Sequence, residues 1–124
     1  VDLRGYVAPE DRQALMAGAA VLVLPSFLEG FGIPALEAMT LGVPVIVSDR
    51  GALPEVVGDA GLQFPAEDAN ALAARLTHVL GDRGVREHLQ AAGPVRARAF
   101  SWTQTAEHTR DAWRRAIAAR GRRG

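Results

Sequence analysis

At 124 residues the chain amounts to one small domain, able to bury a core but not a generous one. Its 14 basic residues, every one an arginine, balance 14 acids, so the charge gives no sign of a nucleic-acid or membrane partner. The absence of cysteine excludes disulfides and thiolate metal sites, and no apolar run is long enough to span a bilayer.

In chain order, short apolar β-branched runs alternate with alanine-rich helical stretches, the pattern of βα units around a parallel sheet. A strand is expected at Leu3–Gly5. A helix follows at Pro9–Ala19, with Pro9 in the first turn, where a missing N–H costs nothing. The strand Val21–Leu24 runs into a glycine-bearing loop, and Pro34 opens a helix expected to reach Leu41. The strand Val45–Ser48, a short helix Pro54–Val57 and the strand Leu62–Phe64 come next. The strands at Val21 and Val45 are apolar throughout, as expected where helices cover both faces. Asp68 is a candidate N-cap for a helix ending at Leu80. A further helix, Gly84–Ala92, is expected to break or kink at Gly93-Pro94. Ser101 with Gln104 forms a capping box for the last helix, Trp102–Arg120. There Trp102, Ala106, Thr109, Trp113 and Ile117 fall on one stripe at helical spacing. Arg114, Arg115, Arg120, Arg122 and Arg123 read as a solvated basic tail.

The run from Pro25 to Met39, PSFLEGFGIPALEAM, carries the chemistry. A strand that feeds a glycine-bearing loop and then a helix N-terminus is how α/β proteins hold phosphates. The glycines let the backbone approach, the free N–H groups point outward, and the helix dipole favours an anion. Glu29 and Glu37 flank the loop and can accept hydrogen bonds from hydroxyls. Phosphate together with polyhydroxyl describes a nucleotide sugar.

Glu29 and Glu37, with seven residues between them and Gly-Phe-Gly-Ile-Pro inside, resemble the Glu-x7-Glu motif of retaining glycosyltransferases of the GT-B fold, group 1 or family 4 type. The likeness extends both ways. Gly5-Tyr6-Val7 with Leu15 to Ala19 is similar to the family's Gly-x-Val turn and following helix. Gly42-Val43-Pro44-Val45-Ile46, Gly51-Ala52-Leu53-Pro54-Glu55, Gly61-Leu62-Gln63-Phe64 and Phe100-Ser101-Trp102 match later segments in order. The resemblance implies an α/β fold with a partial Rossmann-like parallel sheet flanked by helices. It makes residues 1–124 part of a nucleotide-sugar-binding domain, with 101–124 the crossing helix and basic tail. It implies a cytoplasmic hexosyltransferase-type enzyme that uses a nucleotide diphosphate sugar as donor, needs no metal or other cofactor, and retains the anomeric configuration. It also implies earlier βα units with a basic pair for the diphosphate, and an acceptor domain before them. Since Val1-Asp2-Leu3 enters a strand directly, these are expected to lie outside the chain, which alone is expected to be inactive. A membrane surface enters only through the full enzyme.

Residue by residue, the resemblance makes Glu37 the acceptor for the ribose 2′ and 3′ hydroxyls. A first-turn carboxylate favoured by the helix dipole is the plainer alternative. It makes Glu29 the catalytic carboxylate facing the donor sugar and its developing positive charge, against a solvated loop acid. Gly30, Phe31, Gly32 and Ile33 then supply backbone N–H groups to phosphate and sugar, while the Phe31 ring packs beneath the loop. Tyr6 and Val7, at a strand end, border the nucleobase, or form an ordinary turn. Glu55 reads as a structural first-turn acid. His78, His88 and His108 lack metal-ligand spacing, and no Asp-x-Asp pair is present.

Two other readings stand beside this one. The chain could be a non-catalytic interaction fragment, or half of a split protein, that binds through an open side of its sheet. A flavodoxin-like receiver is disfavoured, since it needs an acidic cluster and a lysine. An incomplete sheet with an exposed strand edge is expected to draw copies into a dimer or larger species, by sheet extension or by exchange of the last helix.

Overall fold

The computed structural model describes residues 2–121. The elements are α1 (Pro9–Ala17), β1 (Leu22–Leu24), α2 (Ile33–Thr40), β2 (Val45–Ser48), α3 (Leu53–Val57), a 3-10 turn (Gly58–Ala60), β3 (Leu62–Phe64), α4 (Ala69–Gly81), α5 (Arg83–Ala97) and α6 (Trp102–Gly121). The strands form a three-stranded parallel sheet in the order β1-β2-β3. Val23 pairs with Ile46, and Ile46 with Leu62. The α/β class and the helix-flanked parallel sheet are as the sequence indicates.

β2 is buried along its length, and its alternation divides the core in two. Val45 and Val47 face a layer made by Ala35, Ala38 and Met39 of α2, Leu53 and Val57 of α3, and Ala97 of α5. Ile46 faces the opposite layer with Phe64, Val79 and Leu89. β1 is only half-buried, and among the described residues it pairs with β2 alone.

Four expectations change. Leu3–Gly5 forms no strand: Leu3 is 90% exposed, Gly5 turns to positive φ, and the β1 edge takes no ladder from it. A parallel strand exists only through its neighbour's hydrogen bonds. α1 stops at Ala17, where Gly18 N–H closes on Ala14 O. α5 starts earlier than Gly84, because Asp82 accepts from Val85 N–H as its N-cap. It then runs unbroken through Gly93-Pro94. Proline inside a helix costs about 3 kcal/mol, and the burial of Leu89, Gly93 and Ala97 along that helix offsets it. At Gly93 the helix lies so close to α2 that a Cβ would stand 3.1 Å from Met39 O.

Asp68 caps α4 through Ala71 N–H, as anticipated. Ser101 caps α6 through Gln104 N–H, but among the described residues the Gln104 side chain makes no return bond, so only half of the expected capping box forms. The α6 stripe faces solvent, with Trp102, Trp113 and Ile117 all exposed. Arg114, Arg115 and Arg120 are exposed on the same helix, and Arg122 and Arg123 lie outside the described residues.

The two-layer core and the uncovered stripe give opposite mutational outcomes. Ile46→Ala should lower unfolding free energy by about 2–5 kcal/mol, the cost of a cavity in a closed core. Trp113→Ala should change it by no more than about 0.5 kcal/mol. Urea denaturation of both variants measures the contrast.

Candidate functional site

The loop between β1 and α2 lies at the C-terminal end of the sheet, where open α/β sheets place ligands. α2 begins at Ile33 with Pro34 in its first turn, and Gly32 is its N-cap in the left-handed region at φ 93°. Among the described residues, the backbone N–H groups of Gly30, Phe31, Gly32 and Ile33 donate to no protein acceptor. They crowd at the positive end of an eight-residue helix.

The segment after β2 clamps this loop. Ala52 N–H donates to Glu29 O at 3.2 Å. Gly51, at φ 59°, lies so close that a Cβ there would stand 2.7 Å from Glu29 O and 3.0 Å from Glu29 N. A Cβ on Gly32 would run into Leu53 Cδ2. Glycine suits both places, since each combines a positive φ with a close approach. Buried Ser48, the last residue of β2, donates from its hydroxyl to Ser26 O. Ser26 Oγ in turn donates to Glu29 Oε1 at 2.9 Å, which orients that carboxylate.

Glu37 is the fifth residue of α2, not in its first turn, which holds no acid. The dipole account of this residue therefore fails, because that effect fades beyond the first turn. Its side chain is 37% exposed, and its carboxylate takes a bond of 3.1 Å from Arg12 Nη2 of α1. Glu37 thereby separates two clefts. One of about 310 Å³ lies between α1 and α2 and is lined by Arg12, Gln13 and Met16. The other, about 510 Å³ and mainly apolar, is lined by Phe31, Ile33, Leu36, Phe100 and Trp102. Phe31, Ile33 and Glu37 thus share an opening; Glu29 does not line it.

Phe31 does not pack beneath the loop. The residue is 39% exposed, and its ring meets Phe100 edge-on. Tyr6 and Val7 stand apart from the loop, lining a broad depression with Arg4, Asp11 and Leu15, and Tyr6 is 87% exposed. They sit on no strand end, since none forms there. Glu55 is an exposed first-turn acid on α3, as expected. Among the described residues no three His, Asp or Glu side chains are grouped to hold a metal ion.

The model of the family described as "Glycosyl transferases group 1" matches residues 1–82. The chain belongs to the group 1 glycosyltransferases. The O-antigen chain mannosyltransferase B of Escherichia coli is 46% identical over 110 residues, 89% of this chain and 29% of that protein. The MMP alpha-(1->4)-mannosyltransferase of Mycolicibacterium hassiacum is 41% identical over 117 residues, 90% of this chain and 28% of that protein. Among solved structures, a sucrose-phosphate synthase from Thermosynechococcus elongatus superposes with a TM-score of 0.78 at 36% identity, over 93% of this chain and 30% of that one. The chain spans less than a third of the length of each of these two mannosyltransferases.

Arg12, Ser26, Ser48 and Gly51 were not among the site residues expected from the sequence. Ser26 and Gly51 stand in the segments that carry the family likeness, and Ser48 ends a strand; those were usable signals. Arg12 gave none, for its 25-residue separation from Glu37 is closed only by the packing of α1 beside α2.

Gly51→Ala should be costly, because it combines a positive φ with a backbone clash against Glu29. A loss of about 1–3 kcal/mol is expected, with amide shifts in the NMR spectrum concentrated at residues 28–32. Arg12→Ala, which removes an exposed ion pair, should change stability by less than about 1 kcal/mol.

Proposed function

We propose that this chain is the donor-binding part of a retaining, metal-independent glycosyltransferase that moves a sugar from a nucleotide diphosphate sugar to an acceptor hydroxyl. The observation that carries this reading is the set of free N–H groups from Gly30 to Ile33 at the α2 N-terminus, flanked by Glu29 and Glu37. Such a cradle offers its charge to a diphosphate without a metal, since fixed dipoles need no reorganisation when the leaving group gathers charge. Glu37 takes the ribose hydroxyls through the carboxylate oxygen that Arg12 leaves free. The cleft of about 310 Å³ beside it, walled by Arg12 and Gln13, suits a small polar group. Glu29, oriented by Ser26, faces the sugar and stabilises positive charge at the anomeric carbon as its bond to the diphosphate oxygen breaks. The acceptor hydroxyl oxygen bonds to that carbon on the same face, and its proton passes to the departing diphosphate oxygen. Tyr6 and Val7 border the base at the far end of the site. The relatives' names point to mannosyl transfer among other reactions. In a cytoplasmic enzyme of this kind the acceptor would be held by a further domain.

Calorimetry with UDP, GDP, ADP and their sugar conjugates tests the reading, and no heat with any of them would refute it. Glu37→Gln should weaken nucleotide binding by about 1–2 kcal/mol, or roughly 5- to 30-fold. Glu29→Gln, assayed in the complete enzyme, should lower kcat far more than it raises donor KM.

A second reading, an interaction module, draws support from the exposed Trp102, Trp113 and Ile117 on α6 and the open edge of β1. Both features expose surface that another chain could cover. The isolated chain is expected to sediment as a dimer or larger species, and a monomer at high concentration would remove that support.

A further inference from the structure

Phe31 has a glycine on each side, at 30 and 32, so its backbone is the softest part of the anion-binding loop. Its ring nevertheless has a partner. Phe31 and Phe100 meet edge to face, with centroids 5.5 Å apart and planes at 84°. Phe100 lies in the short link between α5 and α6, and the Arg96 guanidinium covers its ring, with Cζ 5.0 Å from the centroid. Arg96 is itself tied down. Its Nε donates to Val56 O at 3.1 Å and its Nη2 donates to Glu55 O. Those carbonyls belong to the last turn of α3, a helix end that favours a cation. The start of α3 returns to the loop, through Ala52 N–H on Glu29 O and Leu53 beneath Gly32. The contacts close a ring: loop to α3, α3 to Arg96, Arg96 to Phe100, Phe100 back to the loop.

We propose that Arg96 and Phe100 are positioning residues that hold the anion-binding loop through Phe31. The inference rests on the proposed role of residues 30–33 as the diphosphate cradle. Arg96 locks the Phe100 ring, Phe100 locks Phe31, and Phe31 sets the direction of the N–H groups on both sides of it. Only arginine can do this from position 96. Its planar fork reaches two carbonyls while its face lies on the ring, and a lysine ammonium cannot do both. A cradle held in its binding geometry spends less of its affinity on ordering.

The test compares the wild-type chain with Phe100→Ala, Phe100→Tyr, Arg96→Lys and, as a control on the same helix, exposed Val95→Ala. Two quantities are read: backbone order parameters from ¹⁵N relaxation, and calorimetric affinity for GDP and UDP. In Phe100→Ala and Arg96→Lys the order parameters of Gly30, Phe31 and Gly32 should fall from the rigid level of about 0.85 towards about 0.6. Those of Val45–Ser48 should hold. Nucleoside diphosphate affinity should drop about 5- to 20-fold. Phe100→Tyr should restore both, and Val95→Ala should leave both unchanged. Should Phe100→Ala fail to fold, Arg96→Lys carries the same comparison. Loop order and affinity unchanged in the folded variants would overturn the proposal, as would loosening spread evenly over β2. If the wild-type chain binds no nucleotide, the donor-binding reading fails, while the order parameters still decide whether Arg96 and Phe100 hold the loop.

Discussion

β2 is paired on both edges and covered on both faces, and this double constraint sets the geometry of everything around it. Its valines anchor α2 and α3 to one layer, and Ile46 anchors α4 and the first half of α5 to the other. A strand so enclosed cannot slip by one residue without turning its isoleucine into the valine layer. Its last residue, Ser48, then starts the contacts that reach Glu29. The position of the candidate site therefore follows from the register of one four-residue strand.

The loop at residues 29–32 is held from several directions, yet few of the contacts come from side chains of the loop itself. Backbone meets backbone at Glu29 and Gly51, and a leucine from α3 takes the place of a side chain at Gly32. Among the described residues this leaves the loop's own N–H groups without protein acceptors. A binding loop on a rigid scaffold combines these properties: its shape comes from its neighbours, and its hydrogen-bonding capacity stays available. The two glutamates are treated differently. Glu29 is oriented by a neighbouring hydroxyl, whereas Glu37 is held across helices by a guanidinium. Both arrangements occupy one carboxylate oxygen and leave the other without a protein hydrogen bond among the described residues.

Away from this end the molecule is less covered. Phe27 and Leu28 project beside Glu29, and α6 carries two tryptophans and an isoleucine into solvent. The helix is regular because its cap, its alanines and its arginines favour helix, not because its stripe is packed. No helix is long and apolar enough to cross a membrane among the described residues.

The sequence by itself determined what depends on local pattern. The strands Val45–Ser48 and Leu62–Phe64, the caps at Asp68 and Ser101, and the helix opening at Ile33-Pro34 follow from residue type and spacing. So did the loop and the two glutamates as a family signature. Tertiary structure decided whatever needs a neighbour from elsewhere in the chain. Leu3–Gly5 stands where the βα alternation expects a strand but takes no place in the ladder. α5 crosses a proline because packing against α2 outweighs the lost hydrogen bond. The α6 stripe has the spacing of a buried face and yet stays exposed. Arg12 reaches Glu37, and Arg96 reaches Val56 and Glu55 of α3, across separations that no local rule connects. Hydrogen bonds within a turn are set by a few consecutive residues. Contacts between elements are set by the packing of whole layers, and in this fold they alone decide how the site is held.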